Sequence, residues 1–223
     1  MAALMLTADQ LLTAIRDRVG HPATTRELLQ RLQIPREQRA TFKRLLNGLV
    51  EGGQLIQTRG SRYGLPDRMN LVVGRVETNP RGFGFVRPDR PIEGIRGDLY
   101  IAGSNLNQAV HGDRVVARVE ATRGDRAEGR ILRILERGSA LIPGRYDRDE
   151  AGTAYVVPFD RRVVVDVQIA DADRGGAEPG DMVVVEITRW PTPTRGPAGR
   201  VVEVLGDIDE PGVDTEIIIR KYG

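Results

Sequence analysis

The stretch Gly-Phe-Gly-Phe-Val-Arg-Pro (82–88) recurs in altered form as Gly-Thr-Ala-Tyr-Val-Val-Pro (152–158), and this recurrence decides the fold. Three further pairs follow at nearly the same separation. They are Asp-Leu-Tyr-Ile (98–101) with Asp-Val-Gln-Ile (166–169), Gly-Asp (112–113) with Gly-Asp (180–181), and Gly-Arg-Ile-Leu (129–132) with Gly-Arg-Val-Val (199–202). The separations are 70, 68, 68 and 70 residues. The pattern indicates two tandem copies of one domain.

Each copy consists of short valine-rich stretches separated by Gly, Pro and Asp, which is typical of an all-β domain. Its length of about 70 residues matches a five-stranded OB barrel. We therefore predict one five-stranded OB barrel over residues 67–137 and a second over residues 138–206.

Residues 1–66 have a different pattern, with apolar residues at helical spacing. Three helices are predicted: one from Ala8 to Val19, a short one opened by a capping box of Thr24 and Glu27, and one that begins at Pro35. A short hairpin follows over residues 54–65. Three helices and a hairpin predict a winged helix-turn-helix, so the whole chain is predicted to be an α+β multidomain protein.

The composition excludes several kinds of site. The 223 residues include no cysteine and two histidines, which excludes thiolate metal sites and nearly excludes a histidine-built zinc site. No apolar run approaches the roughly 18 residues that a membrane span needs, and the first residues do not read as a signal peptide. We expect a cytoplasmic protein without a membrane partner.

Charge is distributed unevenly along the chain. Residues 1–68 carry a net charge of +5 and residues 69–137 carry +3, whereas residues 138–223 carry −6. A basic first part joined to an acidic last third predicts that the first part holds an anionic partner.

The strongest candidate site is the stretch Arg-Gly-Phe-Gly-Phe-Val-Arg (81–87). If this stretch is a strand, alternation places four side chains on one face: Arg81, Phe83, Phe85 and Arg87. Tyr100, on the next strand, joins the same surface. Aromatic rings flanked by arginines suit single-stranded nucleic acid, because every base offers a π-face for stacking.

The second copy has Thr153, Tyr155 and Gln168 at the matching places, so one aromatic residue is left. We interpret this domain mainly as a spacer or packing domain. In the winged helix, the polar face of the third helix carries Arg36, Arg39, Lys43 and Asn47, and the wing carries Arg59 and Arg62. This pattern predicts phosphate contacts, although small winged helices also serve as protein-contact modules.

No catalytic constellation is present. His111 lies in a Gly-Asp turn and is interpreted as structural. Two acidic groups could in principle hold Mg²⁺ but are interpreted as solvated loops; they are Asp147, Asp149 and Glu150, and Asp207, Asp209 and Glu210. We therefore expect that these residues alone do not hydrolyse RNA, and no cofactor is predicted.

The motifs at 81–86 and 98–101 resemble the two nucleic-acid-binding motifs of cold-shock domains. A winged helix, a cold-shock domain and a second cold-shock-like domain, in that order, resemble the front end of the bacterial ribonuclease R group in the ribonuclease II family. The stretches 104–116 and 209–217 are similar to that group as well. One departure is that Ala102 and Gly103 stand where cold-shock proteins usually continue with His and Phe.

The resemblance implies an RNA-binding region of a hydrolytic 3′→5′ exoribonuclease, with Phe83, Phe85 and Tyr100 as RNA contacts. It implies single-stranded and duplex-containing RNA as partners, and a covalently linked catalytic domain that holds the Mg²⁺. Residues 207–223 are then a linker toward that domain, where the apolar run 217–219 has no partner in the sequence. The alternative is a complete, non-catalytic cold-shock-type RNA chaperone or a winged-helix regulator.

Overall fold

The computed structural model describes residues 6–210 and 212–222. Three parts of the chain lie outside the described residues: residues 1–5 of the predicted winged helix-turn-helix, and Pro211 and Gly223 of the predicted linker. The predicted fold class is confirmed: a helical amino-terminal region precedes two closed five-stranded barrels. Among the described residues, no helix combines the length and the hydropathy needed to cross a bilayer.

The amino-terminal region contains helices α1 (Ala8–Arg18), α2 (Thr25–Arg31) and α3 (Arg39–Glu51). The predicted capping box opens α2: the backbone N–H of Glu27 donates to the Thr24 hydroxyl, and the Glu27 carboxylate accepts from the Thr24 backbone at 2.7 Å. The hydrogen bonds that Glu27 accepts from Thr24 lower the pKa of its carboxyl. The bond from the backbone N–H has the larger effect, and the bond from the hydroxyl has the smaller one. The third helix starts later than predicted, because a 3-10 turn (Arg36–Gln38) separates Pro35 from α3.

The predicted hairpin is present as β2 (Ile56–Gln57) and β3 (Arg62–Gly64). A third short strand, β1 (Ala23–Thr24), pairs with β3 and completes a sheet of order β1-β3-β2. The core beneath this sheet is apolar, with Phe42 of α3 fully buried among residues of all three helices. The helices and the sheet together form a winged helix-turn-helix.

The first barrel has the strand order β4-β5-β6-β8-β7. Its strands are β4 (Leu71–Thr78), β5 (Gly84–Pro88), β6 (Leu99–Ile101), β7 (Arg114–Arg123) and β8 (Arg126–Glu136). The second barrel has the same cyclic order. Its strands are β9 (Leu141–Arg148), β10 (Ala154–Pro158), β11 (Val167–Ile169), β12 (Asp181–Arg189) and β13 (Ala198–Asp207).

The two copies share hydrogen bonds as well as topology. The N–H of Gly82 donates to the Asn79 carbonyl, and that of Gly152 donates to the Asp149 carbonyl, both at 2.9 Å. Both glycines have a positive φ, near 85°, which favours glycine. The repeated stretches therefore mark equivalent turns.

A further pair of glycines explains how each barrel closes. A Cβ at Gly74 would overlap the carbonyl oxygen of Arg87, and one at Gly144 would overlap that of Val157. Close approach between neighbouring strands thus requires glycine at both places. The sequence analysis above does not name this pair of glycines.

The chain divides into two compact units. One contains residues up to Arg75 with Val86–Leu99 and Arg114–Leu135. The other contains Val76–Phe85, Tyr100–Asp113 and the chain from Glu136 onward. The division passes through β4, β5 and β6 of the first barrel.

The segment predicted as a linker contains helix α4 (Val213–Tyr222). The expectation that the apolar run 217–219 has no partner is wrong for Ile217, which is fully buried against Met182 and Leu205 of the second barrel. Arg220 also donates two hydrogen bonds of 2.9 Å to Glu203 of β13, and these lower the pKa of Glu203. Helix α4 therefore packs on the second barrel.

Candidate nucleic-acid interface

Three aromatic side chains gather on one surface, as predicted. Phe85 lies on β5 and is 36% exposed; Phe83 lies just before this strand, and Tyr100 lies on β6, both half-buried. The ring centroids are 5.7 Å apart for Phe83 with Phe85, 5.7 Å for Phe83 with Tyr100, and 5.8 Å for Phe85 with Tyr100. We call these three residues the aromatic platform.

The rings of the platform support one another without stacking in parallel. Phe83 and Phe85 meet at 85°, and Phe85 and Tyr100 at 67°, which are edge-to-face arrangements. Aromatic pairs favour such geometry at these distances. Each ring is thus held in place by the two others. Few side-chain rotamers of the platform therefore have to be fixed when a base stacks on an exposed ring face.

The strand itself is shorter than predicted, and this corrects the position of Arg81. Strand β5 begins at Gly84, and Arg81 lies in a tight turn where its backbone N–H donates to Asn79 Oδ1 at 3.0 Å. The reason is the turn chemistry of the Asn-Pro-Arg-Gly stretch. Alternation therefore does not fix the direction of Arg81, although its side chain is exposed; Arg87, further along the strand, is exposed as predicted.

A second turn holds the platform from the other side. Ala102 precedes a 3-10 turn (Gly103–Asn105), and a Cβ at Gly103 would overlap the carbonyl oxygen of Gly82. The turn after Tyr100 therefore packs directly on the turn before Phe83. This close approach gives a physical reason for the departure from the usual cold-shock pattern, since a phenylalanine at position 103 would not fit there.

The second barrel repeats the frame of the platform without its rings. Tyr155 pairs with Gln168 in the sheet, and Thr153 takes the place of Phe83. Tyr155 is half-buried, whereas Thr153 and Gln168 are exposed. The equivalent surface of the second barrel thus offers one ring for stacking.

The winged-helix cations have unequal surroundings. Arg36, Arg39, Lys43 and Arg59 are exposed, and so is Asn47. Arg62 is also exposed, but its guanidinium donates to the Pro22 carbonyl at 2.9 Å and lies 3.4 Å from Glu27. Arg62 therefore ties the wing to the start of α2, a role that the sequence did not indicate.

Asp113 has a structural role that the sequence analysis does not predict. Its carboxylate is fully buried, pairs with Arg137 at 2.9 Å, and accepts the N–H groups of Val110 and Gly138. Its counterpart Asp181 accepts one such bond, from Glu178. The recurring Gly-Asp pair was the signal that could have identified this role.

His111 and the acidic groups lie in turns. The Nδ1 atom of His111 accepts the backbone N–H of Thr78 at 3.4 Å. Asp149 accepts the N–H of Thr153, and Asp207 accepts that of Asp209. Across residues 6–210 and 212–222, no three His, Asp or Glu side chains are grouped so that they could hold a metal ion.

The fold and the platform together define a chain of the OB and cold-shock class, and family comparison agrees. Residues 74–134 match the sequence model of the ribonuclease B OB domain, and residues 155–223 match that of a cold shock domain. The first match covers most of the first barrel, and the second covers β10 to β13 and α4 without β9.

The particular relatives are ribonuclease R proteins, which confirms the resemblance described above. The chain is 36% identical over 207 residues to ribonuclease R of Acidithiobacillus ferrooxidans, covering 92% of this chain and 46% of that protein. It is 39% identical over 203 residues to that of Escherichia coli, covering 90% and 24%. The chain thus spans less than half the length of these relatives.

The architecture is also found in a solved structure. The structure of Mycoplasma genitalium RNase R in complex with ribose methylated single-stranded RNA has a TM-score of 0.56 and 19% sequence identity, and the match covers 67% of this chain and 23% of that one. At this identity the likeness concerns the fold.

Proposed function

We propose that this chain binds single-stranded RNA through the aromatic platform and acts as the RNA-gripping region of a ribonuclease R-like 3′→5′ exoribonuclease. The observation that carries the proposal is the cluster of Phe85 and Tyr100, on neighbouring strands of an OB barrel, with Phe83 directly before the first of these strands. This is the face on which such barrels bind oligonucleotides. The complex of the Mycoplasma relative with single-stranded RNA supports it.

In this proposal the bases stack on the platform, and exposed arginines at its edge, Arg81 and Arg87, meet the phosphates. The winged helix engages duplex-containing RNA through Arg36, Arg39, Lys43 and Arg59. Hydrolysis and its Mg²⁺ belong to a covalently linked catalytic domain, to which the platform feeds the strand. In this proposal the enzyme acts in the cytoplasm.

The test is a titration of a fluorescein-labelled 20-nucleotide single-stranded RNA, followed by fluorescence anisotropy. Replacing the three platform residues by alanine should weaken binding at least about tenfold, since stacking contributes roughly 1–3 kcal/mol per base. The single variant Phe85→Ala changes the most exposed ring and should weaken binding by about fivefold or more without disturbing the core.

The matched control changes the equivalent positions of the second barrel. The triple variant Thr153→Ala, Tyr155→Ala and Gln168→Ala should bind nearly as tightly as the unaltered chain. Circular dichroism and the midpoint of thermal unfolding establish that each variant is folded. Platform variants that are folded and bind with unchanged affinity would contradict the proposal.

A further inference from the structure

The two barrels differ most in the loop between their last two strands. In the first barrel, β7 and β8 are joined by the two residues Gly124 and Asp125. In the second barrel, β12 and β13 are joined by eight residues, 190–197, which include Trp190, the single tryptophan of the sequence. The loop between strands four and five is a recurrent oligonucleotide-binding element of OB barrels.

This loop borders an apolar groove of about 530 Å³, whose lining residues all lie in one compact unit. Trp190 lines it together with Leu106, Leu141 and Phe159, and the Phe159 side chain is 45% exposed. Small-ligand sites have volumes of roughly 300–1,000 Å³, mainly apolar walls and a few polar groups. Asn107, Gln108 and Thr192 supply polar groups here. A planar heterocycle fits this description.

Trp190 is held in a fixed orientation. The guanidinium carbon of Arg137 lies 4.6 Å from the centroid of its ring, a cation–π contact. Arg137 is itself fixed by the buried carboxylate of Asp113 at 2.9 Å. The indole is therefore oriented by a chain of charged contacts before any ligand arrives, as a stacking surface requires.

The charge around the groove favours nucleic acid over an apolar peptide. Residues 138–223 carry a net charge of −6, yet four of their ten cationic residues lie in two stretches that border the groove, 159–166 and 189–197. They are Arg161, Arg162, Arg189 and Arg195. Arg162 is paired with Asp160 at 2.7 Å, whereas the other three arginines are exposed. Arginines placed beside exposed aromatic rings suit phosphates that flank stacked bases.

We propose that this groove is a second nucleobase site, where one base of a single-stranded RNA packs against Trp190 and Phe159 while neighbouring arginines meet its phosphates. The inference rests on the proposed RNA-binding function and extends it from the platform to the second barrel. Gly103 lines the groove and follows Tyr100 by three residues, at most about 11 Å of extended chain. The same RNA strand can therefore reach both sites, and the second barrel is more than a spacer.

Because Trp190 is the single tryptophan, its fluorescence reports on the groove directly. The intact chain is titrated with an unlabelled 20-nucleotide single-stranded RNA while tryptophan emission is recorded, and in parallel with the labelled strand by anisotropy. Stacking of a base on the indole should quench the emission, and both signals should saturate at the same RNA concentration.

Two variants separate direct stacking from a distant effect. Phe159→Ala should move the quenching midpoint to roughly fivefold or more higher RNA concentration, by the stacking scale. Val202→Ala, at a residue of β13 that is 48% exposed and does not line the groove, should leave it unchanged.

Normal anisotropy binding with unaltered tryptophan emission would overturn the groove site while the proposed function stands, and the groove would then suit an apolar protein segment. Quenching that Phe159→Ala and Val202→Ala leave equally unchanged would also overturn it. If RNA binding gives no change in anisotropy, the proposed function itself is contradicted.

Discussion

Gly103 shows how a residue without a side chain shapes the candidate site. Because a Cβ at this position would overlap the Gly82 carbonyl, the Gly103→Ala variant should push the two turns apart and separate Tyr100 from Phe83. We expect RNA affinity to fall several-fold, measured by anisotropy. The control is Gly48→Ala in α3, where nothing lies within 4 Å; it should raise stability by about 0.5–1 kcal/mol. Equal RNA affinities for the two variants would contradict this role.

Asp113 illustrates a residue whose importance comes from burial. Removing one partner of a buried ion pair leaves the other charge uncompensated, which costs about 3–5 kcal/mol. Since Arg137 remains partly exposed, we expect Asp113→Ala to lower the free energy of unfolding by about 3 kcal/mol, measured by urea denaturation. The equivalent variant Asp181→Ala should lower the free energy of unfolding by about 1 kcal/mol, because Asp181 is half-buried and accepts one backbone N–H. The reverse order of the two losses would refute the assignment.

The basic residues of the winged helix have two different roles. Arg36, Arg39 and Lys43 are exposed, whereas Arg62 bonds to Pro22 and pairs with Glu27. Replacing the first three by alanine should weaken binding to a hairpin RNA more than to a single strand. It should also flatten the dependence of log K on log salt, since each lost phosphate contact removes about 0.7–0.9 from the slope.

The Arg62→Ala variant is the control for this prediction. It should lower the midpoint of thermal unfolding, because the wing loses its tie to α2, and change the salt slope less than the triple variant does. If the triple variant keeps its hairpin affinity and salt slope, the winged helix is a protein-contact module instead.

For the whole molecule, the repeat predicted the fold because it combined spacing with turn chemistry. The Gly-Asp pairs and the glycines at 82 and 152 lie at equivalent turns of both barrels, so the sequence contained the topology twice. The aromatic platform was predictable from a different pattern, since period-two alternation placed Phe83 and Phe85 on one face and Tyr100 lies on the next strand.

Other features depend on contacts between residues that are distant in sequence. The packing of Gly103 on Gly82, the buried partners of Asp113 and the docking of Ile217 on Met182 each join separate segments. The resemblance implies a linker over residues 207–223, but helix α4 packs on the preceding barrel through Ile217. Local pattern cannot show such pairings.

The central claim is that RNA lies on the aromatic platform, and photo-crosslinking tests it most directly. A single-stranded RNA containing 4-thiouridine is bound to the intact chain and irradiated, and the attached residues are mapped by mass spectrometry. We predict that the main crosslinks fall on Phe83, Phe85 and Tyr100 and are lost in the triple alanine variant, with weaker ones at Trp190 or Phe159. Crosslinks confined to the winged helix or to Tyr155, with the platform unlabelled, would contradict the account.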